Sequence, residues 1–128
     1  VGVGQRVVTE NQAFLDDLRA DGIDPPGFFA TNTADCVNLI ALAARESGST
    51  VGERFAPRIV SLSVGGTACS TFADCAELLD TGRNVDYDGP SGLLQLGSSG
   101  DPSRGIFDLF AFEADGTEQV LGSVQVTT

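Results

Sequence analysis

The chain has 128 residues, 41% of them hydrophobic and 20% charged, with 18 acidic residues against seven arginines and a formal net charge of −11. That length suits about one domain, able to bury roughly two-thirds of its unfolded surface, and the composition is that of a folding chain rather than a disordered or collagen-like one. No basic cluster is present, which excludes phosphate-neutralising nucleic-acid binding, and with no Lys, His, Met or Trp the chain cannot by itself build a histidine triad, a histidine metal cluster or a lysine Schiff base.

The apolar runs fall far short of the ~20 residues needed to cross a bilayer, and no charged region followed by an apolar stretch opens the chain. The expectation is a mature or truncated polypeptide whose first residues do not report where the protein was sent. Val1 to Val8 is β-branched and reads as an entering strand or an irregular lead. A helix is predicted from Thr9, which has capping-box spacing to Gln12; Phe14, Leu15 and Leu18 share one face and Gly22 is the stop. Ile23-Asp-Pro-Pro-Gly is a turn or extended linker, because each proline fixes its own φ and biases its predecessor out of the helical region.

Phe28 to Thr31 is a short extended approach to the strongest predicted helix, capped by Asn32 or Thr33 and running through about Glu46. Val37, Ile40, Ala41 and Ala44 follow helical spacing there, and Leu39, Leu42 and Ala43 widen the apolar face until it nearly surrounds the axis, so burial on most sides is expected. Gly48 ends it. Thr50 and Glu53 offer a further capping box before Phe55, Ile59 and Leu62, although Pro57 predicts a short or broken helix. Gly65-Gly66 marks a turn. Ser70 or Thr71 then caps a helix carrying Phe72, Cys75, Ala76, Leu78 and Leu79, closed by Gly82.

Beyond Gly82 the period changes from helical to strand-like. Gly92 to Leu96 is read as one short strand, the following Gly97-Ser-Ser-Gly-Asp-Pro as a turn-rich connection, and Ile106 to Phe112 as a strand apolar on both faces that sits between two layers. Asp115-Gly116 is a tight turn into a last strand, Val120 to Val126.

Among three cysteines, Cys69 and Cys75 lie close together across a loop-to-helix junction and are the expected disulfide, which implies an oxidising, extracytoplasmic compartment; Cys36, on the apolar helix, is expected to be a small buried hydrophobe. Reduced structural thiols or a redox pair are the alternatives, the latter usually having tighter Cys-x-x-Cys spacing. Asp86-Tyr87-Asp88-Gly89 has the oxygen density of a calcium loop but does not continue as one, so a turn that orients Tyr87 is the simpler reading. Asp16-Asp17 and Asp86/Asp88 offer carboxylates for acid–base chemistry, yet nothing in the sequence supplies paired environments that would push their pKa values apart, and no catalysis is expected.

Four segments, in order, carry a resemblance: Phe14-Leu-Asp-Asp-Leu-Arg; Phe29-Ala-Thr-Asn-Thr-Ala-Asp-Cys-Val-Asn-Leu-Ile-Ala-Leu-Ala-Ala; Gly65-Gly-Thr-Ala-Cys-Ser-Thr-Phe-Ala-Asp-Cys-Ala-Glu-Leu-Leu; and the Gly-rich stretch from Asn84 through Ile106-Phe-Asp-Leu-Phe-Ala-Phe to Gly116. Together they resemble the C-terminal part of type I periplasmic solute-binding proteins of ABC transporters, in the branched-chain amino-acid-binding branch, and the paired cysteines are similar to those of its actinobacterial members. The resemblance implies an α/β fold of two lobes, with residues 1–105 as part of the first lobe and 106–128 as a third inter-lobe crossing strand and a tail to the second. It implies a small-molecule ligand such as an amino acid, held by lobe closure without a cofactor, and as partners a membrane permease and the remaining upstream part of the same protein. An extracytoplasmic location follows, periplasmic or at the cell surface, with a lipid anchor at an upstream N-terminus as one form. Relatives line the cleft with residues at the start of the long helix, here Asn32, Thr33 and Ala34; Ala34 stands where an aromatic wall is usual. A physical argument points to the same place, since free N–H groups at a helix start receive a ligand carboxylate. A ligand-sensing domain of a receptor or regulator has the same fold; a lipobox or permease gene neighbour, against a kinase or transmembrane segment, separates the two.

Overall fold

In the computed structural model, which describes residues 1–128 apart from 6–10, 25–28, 93 and 128, the chain is mixed α/β. Its described elements are β1 (Gly2–Gln5), α1 (Gln12–Ala20), α2 (Ala30–Ser47), α3 (Gly52–Ile59), β2 (Thr67–Cys69), α4 (Phe72–Asp80), β3 (Val85–Tyr87), β4 (Arg104–Phe112) and β5 (Glu118–Thr127). They form a three-stranded antiparallel sheet ordered β1-β4-β5 and a two-stranded parallel sheet, β2-β3. No described helix is long and apolar enough to cross a membrane.

The helix boundaries follow local chemistry, with two exceptions. Thr9 lies outside the described residues, and α1 is capped by Asn11, whose Oδ1 accepts the Phe14 N–H at 3.1 Å. Thr71 caps α4 as expected, accepting the Asp74 N–H at 3.1 Å. That helix closes at Gly82, whose φ of +77° is open to glycine and strained for other residues; the N–H groups of Gly82 and Arg83 return to the carbonyls of Leu79 and Leu78. The exceptions are α2 and α3. The first begins at Ala30 with Phe29 at its N-cap, the second at Gly52 with Val51, and neither cap position makes a side-chain hydrogen bond, so Asn32, Thr33 and Thr50 do not cap. Pro57 lies inside α3, which runs only to Ile59, a short helix as the proline predicts.

The core sits where α2, α4, β3 and the end of α3 converge: Leu39, Leu42, Ala43, Leu62, Cys75, Ala76, Val85 and Tyr87, with Phe55, Ile59, Leu78, Leu94 and Leu96 packed around them. β2, α4 and β3 form a βαβ unit in which Thr67 pairs with Val85 and Cys69 with Tyr87. The buried stripe of α2 is Thr31, Asp35, Leu39, Leu42 and Ala43. Val37 and Ile40 remain 59% and 46% exposed, and Cys36 is an exposed free thiol. The expected burial of α2 on most sides, and of Cys36 with it, is thus corrected: the helix is apolar around its axis, but α3 and α4 cover one side.

Two further expectations change in the last third. The described part of 92–96 is not a strand: only Leu96 makes an isolated bridge, to Pro102, and the N–H groups of Leu94 and Leu96 go to side chains, Asp88 Oδ1 at 3.1 Å and Ser63 Oγ at 3.0 Å. β4 is central in its sheet, pairing with β1 through Val3–Leu109 and with β5 through Phe107–Val124, but it is not enclosed between layers. Ile106, Phe107, Leu109 and Phe112 are exposed, as is every residue of β5. The turn through Asp115-Gly116 forms as expected, with Asp115 Oδ1 accepting the Thr117 N–H at 2.9 Å. Phe110 lies across the backbone of Gly2, where a Cβ would come within 2.7 Å of its ring, and meets Phe112 edge-on at 5.5 Å. Phe110 thus covers the glycine backbone of β1 at Gly2 and Gly4.

Candidate functional site

Asn32, Thr33 and Ala34 lie in the first turn and a half of α2, just beyond its N-terminus. The Thr33 N–H is already bonded to the Phe29 carbonyl at 2.8 Å, so the donors left free by helix geometry lie at Ala30, Thr31 and Asn32 rather than at Thr33 or Ala34. Thr33 is exposed, Asn32 and Ala34 are half-buried, and Thr31 is buried.

One residue further on, the sequence places a group whose importance its local context does not reveal. Asp35 is 1% exposed and lies in phase with Thr31 and Leu39 on the inner face of α2. Its Oδ1 accepts the Tyr87 hydroxyl at 2.8 Å and its Oδ2 the Ser91 N–H at 2.9 Å, while Asn38, one turn along α2, donates to the Tyr87 oxygen at 2.8 Å. Burial pushes the Asp35 carboxyl above the ordinary carboxylate range; hydrogen bonding from Ser91 and Tyr87 opposes this, and the like charge of Asp88 adds to it. Burial also raises the Tyr87 phenol, opposed by the Asn38 bond and reinforced by Asp35. Tyr87 is held as a neutral donor at the bottom of the cluster. A Cβ on Gly89 would lie 1.9 Å from Asp35 Oδ1 and 2.1 Å from the Tyr87 oxygen, so only glycine lets the chain pass over the carboxylate.

Asp86-Tyr87-Asp88 is therefore a strand end and its exit, with Tyr87 turned inward, and the two aspartates diverge. Asp86 Oδ2 takes the Gly65 N–H at 3.3 Å and Asp88 takes the Leu94 N–H. Among the described residues no group of three or more His, Cys, Asp or Glu is arranged to hold a metal ion.

A shallow groove of about 620 Å³ runs between β2 and α4, walled by Thr67, Cys69, Asp74, Leu78 and Arg83. None of Asn32, Thr33 and Ala34 lines it. The Cys69–Cys75 disulfide forms as expected, joining the end of β2 to the second turn of α4 with its Cα atoms 5.4 Å apart. It fixes the βαβ unit at one end and is compatible with an oxidising compartment. No family model, no curated protein and no solved structure matches the chain.

Proposed function

We propose that the chain is the C-terminal part of a solute-binding component of an ABC transporter, which captures a small polar solute such as an amino acid by lobe closure and delivers it to a membrane permease outside the cytoplasm. The observation that carries this reading is uncovered apolar surface. A compact monomer of 13.2 kDa exposes about 6,400 Å² by the usual scaling with mass, whereas this chain exposes 8036 Å². Among the large apolar side chains left exposed are Ile106, Phe107, Leu109 and Phe112 on the two faces of β4, Val120, Leu121, Val124 and Val126 of β5, and Val37 and Ile40 of α2. An upstream part of the same protein would bury these faces, and the βαβ arrangement of β2, α4 and β3 suits a unit that extends a larger parallel sheet.

The start of α2, with Asn32, Thr33 and Ala34, is the contact this chain would offer a solute carboxylate, through the N–H groups of Ala30, Thr31 and Asn32 that helix geometry leaves without an intrahelical acceptor. Nothing in the arrangement calls for covalent chemistry. The test is thermal denaturation of the protein, extended through whatever precedes Val1 in its gene, against a panel of amino acids and small amides. A specific ligand raises Tm, by an amount that corresponds to about 2.7 kcal/mol at a hundredfold excess over Kd, and is recovered unchanged. Turnover of a panel compound overturns the reading. So does a gene that encodes these residues alone as a monomer with a cooperative melt and no response to any ligand.

A further inference from the structure

The described contacts divide the molecule unevenly. The core of the α/β unit draws in Leu94 and Leu96 from the connector between β3 and β4, but among the described residues no side chain of β1, β4 or β5 joins it. What holds the sheet's point of departure is hydrogen bonding. Two backbone N–H groups of the connector are received by side chains of the α/β unit, that of Ser91 by Asp35 from α2 and that of Leu96 by Ser63 from the segment after α3, while the Leu94 N–H bonds within the connector to Asp88, the first residue after β3. Asp35 and Ser63 are both essentially inaccessible to solvent. Each is itself fixed, Asp35 by Tyr87 and Ser63 by donation to the Val60 carbonyl at 3.0 Å.

Side-chain acceptors in place of a strand ladder make the connector separable. A ladder shares its hydrogen bonds among neighbouring strands, so breaking one register disturbs the sheet, whereas the Ser91–Asp35 and Leu96–Ser63 bonds are not part of the β2-β3 ladder or of the helical hydrogen bonding. Gly89 lets the chain pass over the carboxylate, since a Cβ there would lie 1.9 Å from Asp35 Oδ1.

We propose that Asp35 and Ser63 form a latch that holds the connector on the α/β unit, and that its release lets the β1-β4-β5 sheet reorient as one body while the helices stay folded. This holds whether or not the chain binds a solute. In the released state Leu94 and Leu96 leave the core margin, and the Asp35 carboxylate exchanges the Ser91 N–H for water.

Native-state hydrogen exchange tests it at single amides. The wild-type protein is expected to exchange Ser91, Leu94 and Leu96 through one shared opening, faster than Thr67 and Tyr87, whose N–H groups bond to the Asn84 and Leu62 carbonyls at 2.8 Å. Asp35→Asn and Ser63→Ala should each accelerate the first set together, by about 10- to 100-fold for loss of a buried hydrogen bond, and leave the second set unchanged. Acceleration of both sets alike would make the two residues general stabilisers and overturn the latch; so would acceleration of a single amide. Should Asp35→Asn fail to fold, the shared or separate opening of the three amides in the wild type decides by itself. Gly89→Ala retains the Asp35 and Ser63 side chains but sets a Cβ against Asp35 Oδ1 and the Tyr87 ring, and so forces the chain off the carboxylate and breaks the Ser91–Asp35 bond. With spin labels at Thr50→Cys and Gln119→Cys, both exposed, in a Cys36→Ser background, it is expected to broaden the label–label distance distribution. An unchanged distribution overturns the proposed reorientation.

Discussion

Val85 and Tyr87 in β3 are fully buried, whereas all ten residues of β5 are exposed, although both strands carry valines or aromatics at alternate positions. The difference lies in how each strand reaches its neighbour. β3 pairs in parallel with β2, and a parallel neighbour requires a crossover, here α4, which arrives as a ready-made cover for the sheet. β5 reaches β4 through the short loop 113–117, antiparallel, and such a hairpin carries no covering layer of its own. Equivalent apolar patterning therefore becomes core in one region and surface in the other, and connection length decides which.

Substitutions at the two regions provide the sharpest break. Leu42→Ala, at a fully buried position, is expected to cost about 2–5 kcal/mol in urea unfolding, and Val124→Ala, at 61% exposure, less than about 0.5 kcal/mol. Comparable losses at the two sites would mean that β5 is covered in solution. Reducing the disulfide should remove about 2 kcal/mol in the chain-entropy account of so short a loop. The accompanying thiol count should rise from one, Cys36, to three in denaturant, and three before reduction would reject the bridge. Thr71→Ala, which orphans the Asp74 N–H at the start of α4, is expected to cost about 1 kcal/mol, without altering exchange at β4 or β5.

The smallest effect is a slope. Because the folded protein raises the Asp35 pKa, its contribution to stability is fully present below the ordinary value of 3.8 and is lost as pH rises through the folded value. Wild type minus Asp35→Asn stability should therefore fall with rising pH across that window and flatten above it. A flat difference throughout would place the carboxyl in water and remove it from the buried region altogether.

Much of the local structure was legible in sequence. Thr71 three residues before Asp74, Gly82 after Leu79 and Asp115-Gly116 between two alternating runs each act over a few residues, and each forms where the pattern puts it. The buried face of α2 was not legible, because Val37 and Ile40 are as apolar as Leu39 and Leu42 and only the placement of α3 and α4 chooses between them. The fate of residues 94–96 was hidden for a related reason: Ser63, which captures the Leu96 N–H, is 33 residues away. The Asp35–Tyr87 pair spans 52 residues. A single signal pointed towards it, a carboxylate in phase with Leu39 on an otherwise apolar helix, since an acid rarely occupies such a position without a partner.

The edge of β5 has a consequence for handling the protein. From Gln119 to Thr127 it carries no charge and no proline, the two devices that usually keep sheet edges from pairing. At low ionic strength the net charge of −11 keeps copies apart over tens of ångströms; at 0.15 M salt the screening length falls to about 8 Å, and the neutral edges meet unopposed. Concentrated stocks should therefore keep longest in dilute buffer, and added salt should speed their association.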